Sequence, residues 1–204
     1  MQPKTIVLHI WDDELIIWYK EKTYIEKLSN RVISYGKIFN PSEFIKYFEK
    51  IIKKYGLNKG IFNYNVTVVT EPITLPSEKE IIKMCLEKLA FNKINYINIA
   101  DLYNLNYNKV YLKISNNYIY LTKKIFKGKK ESIYIDQKLF KNNINLFANH
   151  LSVLLKNKKI IIIGNVDNLE SYSQLIERNS NNQTYYVDNS YNYIINNLIN
   201  TLKK

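Results

Sequence analysis

Polar Thr5 and His9 interrupt a β-branched, apolar stretch over residues 5–10, and residues 15–19 form a continuous apolar and aromatic run, with Asp12 and Asp13 between them. This pattern, rich in Ile and Val, predicts two strands joined by a tight turn. Residues 24–26 form only a short extended run. Residues 31–35, ended by Gly36, supply the third strand of an antiparallel meander. The period then changes to 3.6. Asn40, Pro41, Ser42 and Glu43 open a helix whose buried stripe is Phe44, Ile45, Phe48, Ile51, Ile52 and Tyr55, and Gly56 stops it. A near-continuous β-branched run, residues 65–70, predicts a buried strand. Ser77 with Glu80 three residues later reads as a capping box for a helix carrying Ile81, Ile82, Cys85, Leu86 and Leu89 inward. A strand over residues 96–99 and a helical turn over 101–105 complete this stretch.

The same order then repeats. Strands are predicted over residues 109–114, 118–123 and 132–135, with Asn116 and Asn117 as the turn of the first hairpin. A helix over residues 139–155 places Leu146, Phe147, His150, Leu151 and Leu154 on one side. Four consecutive isoleucines, residues 160–163, make a strand ended by Gly164. A helix over 170–177, a strand over 184–187 and a last helix capped by Ser190 follow, with Tyr191, Ile194, Ile195, Leu198 and Leu202 inward. Residues 1–105 and 106–204 therefore read as two copies of βββαβαβα, a duplication with a period of ~105 residues. Each copy is expected to be a five-stranded mixed sheet with helices, because β-α-β-α-β requires parallel, right-handed crossovers. Residues 66–69 are expected to correspond to residues 160–163, and the helix around residues 44–52 to that around 146–154.

Composition narrows the chemistry. One cysteine, Cys85, excludes a disulfide scaffold, and two histidines, His9 and His150, make a His-based zinc site poor on arithmetic. No apolar run reaches the ~18 residues that span a bilayer, and the N-terminal apolar run is cut off by Asp12 and Asp13, so it reads as a strand and not a signal peptide. The expected location is the cytoplasm, with the inner face of the membrane as a further place of action. Only 5 glycines are present, no two closer than four positions, so no glycine-rich phosphate loop exists. The formal net charge of +12 attracts nucleic acid, acidic lipid or an acidic partner. Lysine supplies nearly all of it, in dispersed groups. Arginine, the better base reader, is confined to Arg31 and Arg178. The 18 tyrosines fit stacking platforms, but equally a composition biased toward Lys, Asn, Ile and Tyr.

The repeated unit resembles the actin/Hsp70/sugar-kinase superfamily, an actin-like fold of ribonuclease-H-like halves, over nearly the whole chain. Residues 65–77, continuing through Glu80 and Leu89-Ala90-Phe91 to residues 95–99, are similar to the family's strand, x-Pro linker, helix and strand. Residues 159–169, with the following helix and Tyr185-Tyr186-Val187-Asp188, resemble its second-half strand ending in Gly-Gly, where adenosine sits. The look is closest to bacterial actin-like proteins. The resemblance implies two phosphate turns. The first carries an aspartate with nearby glycines; here the stretch is Ile10-Trp11-Asp12-Asp13-Glu14. The second reads Asp-x-Gly-x-x-x-Thr; here it is Lys113-Ile114-Ser115-Asn116-Asn117-Tyr118. Of the adenosine Gly-Gly only Gly164 remains, followed by Asn165. The segments that carry the family's inserted B subdomains are short, Gly36 to Pro41 and residues 136–140, so those subdomains are expected to be missing. If a nucleotide is taken, the resemblance implies Asp12, Asp13, Ser115 and Gly164 as its contacts; no metal ligand is assigned.

Each candidate has a plainer role beside the functional one. Asp12 and Asp13 fit a metal or a turn cap. Glu71 fits the place where relatives orient attacking water, or a solvated strand end. Ser115 fits a hairpin residue, since no base is implied next to it. His9, His150 and Cys85 fit packing. Trp11, Trp18 and Tyr19 put large aromatics on the first hairpin where other strands use Ile and Val, which together with Asn116 makes them interface candidates. The leading expectation is a non-catalytic actin-like scaffold, without cofactor, acting by self-association or by docking into a larger cytoplasmic assembly. Protein partners are expected, an acidic partner or anionic membrane surface among them. The alternatives are an ATP- and Mg²⁺-binding filament protein and, less favoured, a basic nucleic-acid binder.

Overall fold

A computed structural model describes residues 4–57, 64–91, 93–103, 105–116, 118–136, 149, 155, 158–164, 169–179 and 182–202. The helix expected over 139–155, with His150, therefore lies outside the described residues apart from 149 and 155, as do Asn117 and Asn165. The chain divides into two compact units, Met1–Ile99 and Ala100–Lys204.

The first unit is built on β1 (Lys4–Trp11), β2 (Glu14–Tyr19), β3 (Lys22–Lys27), the short β4 (Ile33–Ser34) and β5 (Lys37–Ile38), α1 (Pro41–Lys54), β6 (Tyr64–Thr70), α2 (Pro76–Lys88) and β7 (Lys93–Asn98). Its main sheet runs β3-β2-β1-β6-β7. The meander pairs antiparallel, and β6 lies parallel to both β1 and β7. Alternation decides what each strand buries. Ile6, Leu8 and Ile10 of β1, with Leu15, Ile17, Val66 and Val68, join Phe44, Phe48, Ile51 and Ile52 of α1 and Ile82, Cys85 and Leu86 of α2 in one core. Each such fully buried side chain contributes about 1.5–3 kcal/mol. Burial also pushes the Cys85 thiol up to about 11, as expected for a cysteine that packs.

After the short α3 (Ile99–Leu102), the second unit carries β8 (Lys109–Ile114), β9 (Tyr118–Lys124), β10 (Lys130–Asp136), β11 (Lys159–Gly164), α4 (Leu169–Asn179), β12 (Thr184–Tyr186) and α5 (Ser190–Leu202). The sheet order β10-β9-β8-β11-β12 copies the first. Val110, Leu112, Ile114, Ile119, Leu121, Ile160 and Ile162 face Leu155 and Ile176 in its core. On the opposite face Tyr111 stacks on Tyr103 at 4.4 Å and its hydroxyl lies 2.7 Å from that of Tyr193 on α5. The duplicated fold read from the sequence is thus present: two five-stranded mixed sheets, each with helices. Its register agrees as well. Ile6 pairs with Val66 where Val110 pairs with Ile160, which brings residues 66–69 into correspondence with 160–163.

Several local expectations are corrected. The third strand is residues 22–27, not 31–35; the latter stretch supplies β4 of a small hairpin with β5. The reversal that returns β2 into β3 uses Lys20 (φ 48°) and Glu21 (φ 62°). Such turns normally announce themselves by Gly or Asn, and here neither is present. The α2 cap is displaced: Pro76 opens the helix and Glu78 Oε2 accepts from Leu75 N–H at 2.8 Å, in place of Ser77 with Glu80. The α5 cap is Asn189, whose Oδ1 accepts from Asn192 N–H at 2.9 Å, and Ser190 is used elsewhere. The helical turn expected over 101–105 is α3, starting directly at the end of β7.

Glu26 ties β3 to α1. Its carboxylate accepts from Lys54 Nζ at 2.5 Å and from the Tyr55 hydroxyl. Those two bonds, Lys54 first, hold the Glu26 carboxyl below its ordinary 4.5. A depressed carboxyl contributes stability that is present above the unfolded value and is lost as pH falls through the folded one. Stability should therefore fall with acid below about 4.5, and Glu26→Gln should flatten that limb while lowering stability at pH 7. Urea melts of both proteins across this range check it.

Candidate functional site

The β1–β2 and β8–β9 reversals are both two-residue hairpins. Trp11 pairs with Glu14 around Asp12 and Asp13, and Ser115 N–H donates to the Tyr118 carbonyl at 2.9 Å around residues 116–117. Ile10–Leu15 and Ile114–Ile119 are the next pairs out, and His9–Ile16 and Lys113–Tyr120 the next. The two units thus place His9 and Lys113 at the same position of their central strands, and Trp11 and Ser115 likewise.

Asp12 and Asp13 behave as turn residues. Asp12 adopts φ 59°, where Asp is better tolerated than most residues. Its Oδ1 accepts from Tyr35 N–H at 3.2 Å and its carbonyl accepts from Gly36 N–H at 3.2 Å. The Asp13 carbonyl accepts from Leu28 N–H at 2.9 Å, and its Oδ2 lies 3.2 Å from Lys27 Nζ. That bond raises the Lys27 ammonium's pKa. Both carboxylates are buried and both clip residues 27–36 to the turn. Behind them, His9 Nε2 lies 3.1 Å from Glu71 Oε1, with both side chains buried. Glu71 directly follows β6, so this contact joins the ends of two parallel neighbours. The expected solvated strand-end glutamate is corrected: Glu71 is only 5% exposed.

In the second unit Lys113 is 1% exposed, with its ammonium 5.6 Å from the centre of the Tyr118 ring. Ser115 is fully buried and Asn116 is exposed. Gly164 N–H donates to Ser190 Oγ at 2.9 Å. A Cβ at Gly164 would stand 2.5 Å from the Ile114 carbonyl oxygen and 2.8 Å from Leu169 Cδ2. The glycine is therefore required by the close approach of β11, β8 and α4. Of the interface candidates, Trp11 is fully buried and Tyr19 is 4% exposed, so neither offers a surface; Trp18 is half-buried. From the sequence His9 is expected only to pack, and Lys113 is not among the candidate site residues. Their signal is countable only after both hairpins are known to have two-residue turns.

No protein-family profile matches the chain, and no curated protein matches it. Solved structures do. MreB5 of Spiroplasma citri, bound to AMPPNP, aligns with a TM-score of 0.69 at 11% identity, covering 100% of this chain and 98% of that one. The ethanolamine utilization protein EutJ of Carboxydothermus hydrogenoformans gives 0.64 at 11% identity, over 94% and 86% of the two chains. The AlfA filament from B. subtilis plasmid pLS32 gives 0.60 at 12% identity, over 98% and 99%. This chain has the actin/Hsp70 ATPase fold.

The actin-like fold implies a nucleotide with a divalent metal at its two phosphate turns. The donor set of this chain does not fit the metal. Where the second turn's motif has aspartate stands Lys113, and the register puts His9 at the matching place of the first. The carboxylates of Asp12 and Asp13 sit at the hairpin tip and bond to the Tyr35 amide and Lys27. Among the described residues no group of three or more His, Cys, Asp or Glu is placed to hold a metal ion. Among them, too, no helix is long and apolar enough to cross a membrane.

Proposed function

We propose that this chain is an actin-like assembly protein that works by self-association into filaments and not by ATP turnover. The observation that carries this reading is a contrast within each unit. The five-stranded sheet and its register are kept, while the turns that would cradle phosphate hold Trp11, Asp12, Ser115 and Asn116 without a glycine. Hydrolysis needs positioned oxygen ligands and backbone N–H groups around a γ-phosphate, whereas assembly needs only the outer surfaces of a rigid fold. The whole-length likeness to AlfA, solved as a filament, supports the same reading. A second reading, a filament protein that binds ATP, is favoured by the MreB5 structures, which hold AMPPNP and ADP. The nucleic-acid reading is less favoured because arginine, whose bidentate fork reads bases, is confined to Arg31 and Arg178.

A net charge of +12 makes copies repel over about a Debye length, ~10 Å at 0.1 M salt. Sedimentation velocity of the purified chain at low and high salt, with and without ATP, tests the proposal. The expected result is growth of fast-sedimenting species with salt and protein concentration, unchanged by ATP. Growth only with ATP selects the second reading, and a monomer under every condition contradicts both.

A further inference from the structure

The matched positions of His9 and Lys113 have a consequence for what these turns can hold. We infer that the two strand-end positions at which this fold presents carboxylates toward a metal have been converted to basic ones, so that no Mg²⁺ is taken there and any nucleotide bound at these turns is bound without Mg²⁺. This rests on the assembly reading only where assembly is used as a readout.

Each hairpin turn has two residues, so the places two positions before Trp11 and before Ser115 are the same place in the two sheets. The motif expected of the second turn, Asp-x-Gly-x-x-x-Thr, aligns on Lys113, Ser115 and the residues beyond, and the internal match carries it to His9 and Trp11. Asp12 and Asp13 lie three and four residues further on, at the tip, and do not occupy the aspartate position. Chemistry then decides the outcome. Mg²⁺ takes oxygen ligands in a near-octahedral shell. A lysine ammonium has no lone pair to give and repels a cation. Imidazole suits zinc, copper and nickel better than magnesium, and the His9 nitrogen facing Glu71 is engaged at 3.1 Å. Two basic residues at register-matched, buried positions of the central strands are unlike a random surface lysine: both are at most 2% exposed.

The test is thermal unfolding of the intact chain with ATP in EDTA, with ATP plus Mg²⁺, and with Mg²⁺ alone, each against sodium chloride of equal ionic strength. Sedimentation is run on the same samples. Ligand at a hundred times its Kd should raise the melting temperature of a chain this size by about 5–10 °C. The inference expects ATP to act equally with and without Mg²⁺, or not at all, and Mg²⁺ alone to act only as its ionic strength does. A rise of that size seen with Mg²⁺–ATP but absent with ATP in EDTA overturns it. A metal-insensitive monomer sinks the assembly reading and leaves this inference standing. Filaments that form only with Mg²⁺–ATP overturn this inference and select the ATP-binding filament reading.

Discussion

Gly164→Ala should destabilise the chain by about 1–3 kcal/mol, and Gly164→Val by more. The position has no room for a side chain. The nearest atom, the Ile114 carbonyl oxygen at 2.5 Å, is backbone of the central strand β8, and Leu169 Cδ2 on α4 stands at 2.8 Å. Leu169 can turn away, but the carbonyl can move only if β8 and β11 separate, at the pair Gly164–Ile114 that ends their shared register. The same shift would stretch the bond from Gly164 N–H to Ser190 Oγ, which fixes the start of α5. Calorimetry should show the alanine variant melting about 2–12 °C lower. A glycine kept only for a bound adenosine would behave otherwise: alanine there would leave the ligand-free melting temperature unchanged.

Trp11→Ala should cost about 3–5 kcal/mol, the range for removing a buried aromatic. Trp11 is fully buried, and its ring lies 5.5 Å from that of His9, beside the His9–Glu71 contact. Truncation leaves a large void next to buried polar groups, which adds to the lost packing. Equilibrium urea unfolding measures the effect. Trp18→Ala is the comparison, because Trp18 is half-buried; it should cost clearly less. If Trp11 worked instead as an interface residue, its alanine variant would keep the stability of the parent and lose only association.

One central parallel strand of each unit, β6 and β11, was legible because β-branched runs do two things at once. Residues 66–70 and 160–163 both favour extended backbone and lack the polar alternation of an exposed strand, so their position and correspondence could be read directly. The β2–β3 reversal was hidden because Lys20 and Glu21 adopt positive φ without the residues that usually permit it. The caps of α2 and α5 were misplaced for a related reason. Ser77 and Ser190 carry the composition of a cap, yet Glu78 and Asn189 make the bonds. At the candidate site, the turn role of Asp12 and Asp13 was legible from local chemistry, since Asp bonds to nearby backbone amides. The glycine requirement at position 164 was visible only as a glycine, and its cause, a strand 50 positions earlier in the sequence, is tertiary. His9, Glu71 and Lys113 were hardest, because burial and strand register give them their meaning, and neither is written in a single strand's pattern.

Negative-stain electron microscopy of the purified chain, without nucleotide and at raised salt, tests the proposed self-association most directly. Filaments with a regular axial repeat, formed equally in EDTA, are the predicted result. Separate particles of single-chain size at every salt and protein concentration would contradict it.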